Sequence, residues 1–261
     1  MKRTYVKLLT VAGLTGCFLF TSCRSAQETT ARYEISKVEG NMITIDSTWD
    51  ANPDKKATTV LKPYKDKVDA MMYEVIGTSE MKMDKGTPES LLSNLVASVL
   101  QEAAAQVLGK PADMGLVNMG GLRNILPKGD ITVGAVFEIL PFENSLCVLT
   151  MKGTDMKRLF KAIASLHGEG VSGIRLEINK KGELLNATIG GKPVVDDQLY
   201  TGATIDYLAD GNGRMDAFLQ AEKRECPEDA TLRGLFLDYV RKQTAEGKII
   251  TSKLDGRITV K

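Results

Sequence analysis

Apolar residues recur along the chain with two different periods, and the switches between them outline the fold. Residues 33–46 alternate apolar and polar positions about a Glu39-Gly40-Asn41 turn, which predicts a hairpin. Residues 50–59 are polar and loop-like. From about residue 63 to 76 the period lengthens: Val68, Met71, Met72 and Val75 form one helical stripe. The next helix has a start signal, with Thr87 as cap, Pro88 at the first helical position and Glu89 at the positive end of the dipole. It should run to about Leu108 and close at Gly109. Residues 114–117 predict a short buried strand followed by a glycine loop. Residues 145–151, 173–179, 184–189 and 200–205 predict strands, with turns at Lys181-Gly182 and Gly190-Gly191. Helices over about 155–165 and 231–245 are interleaved with them, and no repeat of fixed period occurs. This mixture predicts an α/β fold, α+β-like in its hairpins: a single domain of mixed β-sheet layers flanked by helices, not a uniform βαβ series.

The N-terminus follows a different logic. Lys2, Arg3 and Lys7 precede a short apolar run, residues 8–20, which cannot span a hydrocarbon core of roughly 30 Å. Residues 1–22 therefore read as a lipoprotein signal peptide. Phe20-Thr21-Ser22-Cys23 resembles a bacterial lipoprotein cleavage box, so Cys23 is the expected lipidation site. The chain is then exported and held to a membrane by its lipid, on the periplasmic side or at the cell surface. Leu14-Thr15-Gly16-Cys17 fits the same pattern with a shorter apolar run, and an ordinary secreted protein is the alternative. Residues 23–32 predict a flexible tether, 33–62 a hairpin extension, and 63–261 the main domain.

Charge and side-chain chemistry then narrow the function. Removing the signal takes away three positive charges, so a formal net charge of +1 becomes −2. The 34 basic and 33 acidic residues are interspersed, without the basic stripe that a nucleic-acid backbone requires, so no nucleic-acid partner is expected. Beyond Cys23 only Cys147 and Cys226 remain of four cysteines. A disulfide is possible in an oxidising compartment, but with no other ligand-type residues beside them two buried apolar thiols are the preferred reading. The one histidine, His167, follows a predicted helix, where a protonated ring would favour the dipole. Two-metal phosphoesterases need several His and Asp ligands to hold ions about 3.5–4 Å apart. No metal site and no catalytic residue of that kind is expected here, and neither a G-x-S-x-G elbow nor a P-loop occurs.

What the chain does contain is an ordered set of short motifs. Asn118-Met119-Gly120-Gly121-Leu122-Arg123 resembles the N-x-G-G-[IL]-R segment of the C-terminal domain of 5′-nucleotidases. Ser93-Asn94-Leu95 resembles that family's G-N-L. Gly129-Asp130-Ile131-Thr132 leads to Leu140-Pro141-Phe142-Glu143-Asn144, which resembles its L-P-F-x-N. Val171-Ser172-Gly173, Tyr207-Leu208-Ala209-Asp210-Gly211-Asn212-Gly213 and Gly256-Arg257-Ile258 complete the series in family order, over residues 64–260.

The resemblance implies a 5′-nucleotidase C-terminal domain-like fold that binds the nucleoside half of a substrate, while a metallophosphatase domain holds two divalent metals. It places Phe142 and Tyr207 where two rings sandwich the base; core packing of both rings is the alternative. It also places Asn118, Gly120, Gly121, Arg123, Asn144, Asp210, Gly211 and Asn212 around a nucleoside or nucleoside monophosphate. Gly120 and Gly121 are expected to permit close approach and positive φ. Arg123 is expected to give paired hydrogen bonds to a phosphate or base edge, with a solvated loop arginine as the alternative.

Two departures touch the ligand. The family carries arginines shortly before G-N-L, where this chain has Lys85-Gly86-Thr87-Pro88, and its L-A-x-G-G-D-G acid is missing here. A third departure is architectural: about 40 residues between Cys23 and Tyr64 are too few for a metallophosphatase domain. The expected function is therefore the recognition half of a 5′-nucleotidase-type phosphohydrolase of nucleotide catabolism. It would need no cofactor of its own and would pair with a separately encoded metallophosphatase chain. A nucleoside- or nucleotide-binding lipoprotein without catalysis, and a structural surface domain that lost its ligand, are the alternatives.

Overall fold

The structure is a computed structural model that describes residues 34–261; the signal, Cys23 and the tether lie outside the described residues. The described residues fall into two units, 34–53 and Asp54–Lys261. In the described part of the first, the hairpin expected over residues 33–46 is absent: no strand forms over 34–46. Ile35, Met42 and Ile45 are exposed. Two alternating strands with no third strand or helix to receive their apolar face are marginal in water, so the pattern alone does not fold. The first regular element among the described residues is the 3-10 turn Ser47–Ala51, where the Asp46 carboxylate accepts Thr48 N–H at 2.9 Å and Trp49 Nε1 donates to the Thr44 carbonyl at 2.8 Å.

The second unit opens with α1 (Lys55–Met72), which starts earlier than its apolar stripe predicts. Asp54 is the cap, accepting from Lys56 N–H at 2.8 Å and Ala57 N–H at 3.1 Å, and Pro63 lies inside the helix. Val75 and Ile76 leave the helix for β1 (Val75–Ser79), antiparallel to β3 (Gly129–Thr132). The following helix, α2 (Leu91–Ala103), is capped by Ser90 rather than Thr87. Glu89 is drawn elsewhere: its carboxylate accepts Asp255 N–H at 2.9 Å and Arg257 N–H at 3.0 Å, fixing the approach of the chain to α2. A short α3 (Ala105–Leu108) then ends at Gly109 in the left-handed conformation.

Two larger sheets form the body. One has the order β10-β4-β9-β2-β5, the other β11-β6-β7-β8. In the first, β4 (Leu146–Lys152) runs antiparallel to β9 (Leu199–Ile205), and β9 runs parallel to β2 (Met114–Val117). Antiparallel β5 (Gly170–Ser172) and β10 (Lys223–Glu225) form its edges. In the second, β6 (Ile174–Ile178) lies between antiparallel β7 (Leu184–Ile189) and parallel β11 (Ile258–Val260), with β8 (Lys192–Pro193) beyond β7. Strand β4 reads as an unbroken apolar run, Leu146 to Leu149, because it is central and covered on both faces. Helix α2 packs on β2, β5 and β9, and α5 (Gly153–Ser165) packs against both sheets. Gly115 makes the first contact possible: a Cβ there would meet the Ala97 carbonyl oxygen at 2.2 Å.

The thiols are corrected as well. Cys147 and Cys226 are not free apolar groups but a disulfide that joins β4 to the residue after β10. Their sequence separation of 79 hid the pairing, which depends on β4 and β10 lying side by side.

Candidate functional site

The glycine loop after β2 folds as a 3-10 turn, Met119–Gly121, and forms one wall of a cleft of about 350 Å³. Helix α4 (Val133–Ile139), capped by Thr132, delivers the segment Leu140-Pro141-Phe142 to a second wall. The start of α6 (Asp206–Ala209), after β9, delivers Tyr207. The cleft is lined by Asn118, Gly120, Gly121, Phe142, Asn144 and Tyr207, at the small end of the roughly 300–1,000 Å³ usual for small-ligand sites. Both rings are half-exposed, Phe142 at 47% and Tyr207 at 44%, so they present faces to the cleft and do not belong to the buried core.

The glycines work differently from expectation. Neither Gly120 nor Gly121 has positive φ. What Gly121 supplies is closeness: a Cβ there would lie 2.9 Å from Asn118 Oδ1. That oxygen is buried and has no hydrogen-bond partner, the one such side-chain atom among the described residues. A buried acceptor left unpaired is uncommon and costs desolvation energy until a donor reaches it.

Arg123 places its guanidinium carbon 5.6 Å from the centre of the Phe142 ring, within cation–π range, while Nη1 donates to the Gly120 carbonyl at 3.2 Å. Lys85, from the segment that precedes α2, donates through Nζ to the Leu122 carbonyl and so stands beside the same loop. The turn after Tyr207 does not line the cleft. Asp210 is committed to Arg224, 2.7 Å from its Nη1, and Gly211 takes φ 81° against Leu219. Asn212 lies exposed in the 3-10 turn Asn212–Arg214.

Three residues that sequence reasoning passed over hold this arrangement in place. Glu169, 9% exposed, accepts the N–H of Met119 and anchors the glycine loop; burial pushes its carboxyl above the usual range, against the opposing effect of that bond. Arg233, at the start of α7 (Leu232–Ala245), donates to the carbonyls of Leu140 at 3.1 Å and Pro141 at 3.2 Å. It also stacks 4.1 Å from the Phe137 ring and pairs with Glu143. Asp206 accepts from Asn144 Nδ2 at 2.9 Å. None of the three stands in a recognisable spacing with its partner. Among the described residues, no group of three or more His, Cys, Asp and Glu could hold a metal ion, so the residues present do not fit a two-metal centre.

Similar stretches occur in known proteins. Endonuclease YhcR of Bacillus subtilis is 28% identical over 188 residues, covering 69% of this chain, and the cell wall protein Lmo0130 of Listeria monocytogenes is 27% identical over 81% of it. The chain spans 15% and 30% of those two proteins. The crystal structure of a 5′-nucleotidase precursor from Thermus thermophilus superposes with a TM-score of 0.67 at 26% identity, covering 81% of this chain and 44% of that one. A sequence model described as 5′-nucleotidase, C-terminal domain, matches residues 75–220, which contain the glycine loop and both rings of the cleft. By that match, and by the sheets and helices that carry the cleft, the chain belongs to the 5′-nucleotidase C-terminal domain family.

Proposed function

We propose that this chain is the nucleotide-recognition half of a 5′-nucleotidase-type phosphohydrolase, acting with a metallophosphatase encoded as a separate chain. The observation that carries the reading is the pair of half-exposed rings, Phe142 and Tyr207, on one cleft with an unpaired buried acceptor, Asn118 Oδ1. Two rings give a planar base two stacking faces, each worth about 1–3 kcal/mol. The acceptor suits an exocyclic amino group, and Arg123 and Lys85 put positive charge beside the glycine loop for a phosphate. Bond cleavage is then the partner's work, with two divalent metals held by its residues and the nucleoside presented by this chain. Export with a lipid on Cys23 completes the proposal, and the Cys147–Cys226 disulfide supports it because such bonds persist in oxidising compartments.

Calorimetric titration with adenosine monophosphate tests the reading. The purified chain should bind weakly but measurably, and Phe142→Leu or Tyr207→Leu should weaken binding about ten- to hundredfold. Because both rings are half-exposed, the melting temperature should barely move. Core rings would give the reverse: lower stability and unchanged affinity. The pure chain should release no phosphate from the nucleotide with manganese, zinc or magnesium added, and turnover above background would overturn the division of labour.

A further inference from the structure

The two rings of the cleft come from segments that lie far apart in sequence, and a single carboxylate ties those segments together at the rings. Asp206 Oδ1 accepts Asn144 Nδ2 at 2.9 Å, across a separation of 62 residues, and also the backbone N–H of Tyr207 at 2.7 Å. Asn144 stands two positions after Phe142, and Asp206 immediately precedes Tyr207. Behind this contact the backbones are already joined. Asp206 N–H donates to the Ser145 carbonyl at 2.9 Å, and Leu232 N–H to the Asn144 carbonyl at 2.8 Å. Sheet pairing between β4 and β9 begins just beyond, at Leu146 and Ile205. Backbone bonds therefore hold the chain from residue 144 onward on one side and through 206 on the other. The short ends that carry the rings extend past these bonds, and the Asp206 carboxylate is the side-chain tie between them.

We propose that Asp206 is a positioning residue: through Asn144 and the Tyr207 amide it sets the separation and tilt of the two rings, so that the slot exists before a ligand enters. This rests on reading the cleft as a base clamp. Ordering a site in advance removes a cost that binding would otherwise meet, so the tie should show in affinity. An aspartate in the first turn of a helix also favours the dipole, a purely structural role that α6, four residues long, offers as the competing account.

The test reads the ring directly. Incorporating para-fluorophenylalanine at position 142 of the full chain gives a fluorine NMR signal that reports the surroundings of that ring without any ligand. In Asp206→Ala the signal should shift or broaden, and adenosine monophosphate should bind at least about tenfold more weakly. Asp206→Asn, which keeps an oxygen acceptor at the same place, should restore both. Should Asp206→Ala fail to fold, Asn144→Ala removes the donor instead and carries the same expectation. A signal that shifts in the variant while the wild type binds no nucleotide would sink the clamp reading but leave the positioning role standing. An unchanged fluorine signal in a folded variant overturns the proposal, whatever the chain binds.

Discussion

Glu169 is among the few charged side chains that the fold buries, and the Met119 N–H it accepts does not offset that burial, so its pKa is raised by desolvation. The folded state thus favours the protonated acid more than the unfolded chain does. The stability this gives is complete below the ordinary value of 4.5 and is lost as pH rises through the raised one. Glu169→Gln keeps an acceptor for Met119 and removes the buried charge. It should melt higher than wild type at neutral pH, with the difference closing as pH falls through the raised value and gone below 4.5. A variant that melts lower at every pH would mean that the charged bond outweighs the burial. Residues of this kind explain where sequence reading stops. Asn118, Gly121, Phe142 and Tyr207 were legible because each sits in a local motif with a defined spacing. Glu169, Asp206 and Arg233 find partners 50, 62 and up to 93 positions away, and no local pattern announces a buried carboxylate or guanidinium that serves a distant backbone. Other motif residues turned out to be structural. Asn94 donates to Glu89 and to the Lys253 carbonyl, and Arg257 donates to the carbonyls of Asn94 and Val171, so the first and last motifs of the series lock onto each other, not onto a ligand.

Elements with long, clean periods were readable. The strand expected over 184–189 matches β7, and the helix expected over 231–245 matches α7 with Thr231 as its cap. Short pieces were not: β3, β5 and α4 carry too few residues for a period to emerge, yet α4 leads into the Phe142 segment and β5 pairs with β2, which leads into the glycine loop. At the junction of α4 with α7 sits Arg233, 8% exposed, which closes the end of α4 through the Leu140 and Pro141 carbonyls. Its partner Glu143 has a side chain 72% exposed, so that ion pair contributes little and the two carbonyls carry the effect. Arg233→Met should therefore destabilise the chain by about 1–3 kcal/mol, the cost of stranding the buried Leu140 carbonyl. Arg233→Lys should recover only part of this, since one ammonium cannot span both carbonyls and stack on Phe137. Denaturant melts of the two variants decide the point, and a full recovery in the lysine variant would assign the effect to charge alone.

For the molecule as a whole, the five-stranded sheet has its weakest edge at β10, where Lys223, Arg224 and Glu225 pair with β4 and bring little apolar surface to the core. The covalent link beside that edge compensates. Cys147 is fully buried on β4, and its bond to Cys226 ties down the chain that leads from the Tyr207 turn to α7. Arg224 reinforces the same corner, lying against the Cys226 sulfur at 3.2 Å while it pairs with Asp210 from the turn after Tyr207. A cross-link between residues 79 apart removes much of the freedom of the unfolded chain, and loss of such native bonds costs about 2–5 kcal/mol. Reduction under mild denaturation followed by alkylation, or the paired Cys147→Ala and Cys226→Ala substitution, should thus lower the unfolding free energy by that amount and bring the denaturation midpoint earlier. The two treatments separate the causes. Alkylation adds bulk at a fully buried site, whereas the alanine pair removes only the link and a little volume, so agreement between them assigns the loss to the cross-link. An alanine pair that unfolds at the wild-type midpoint would show that strand pairing and the Arg224–Asp210 contact hold the edge without it.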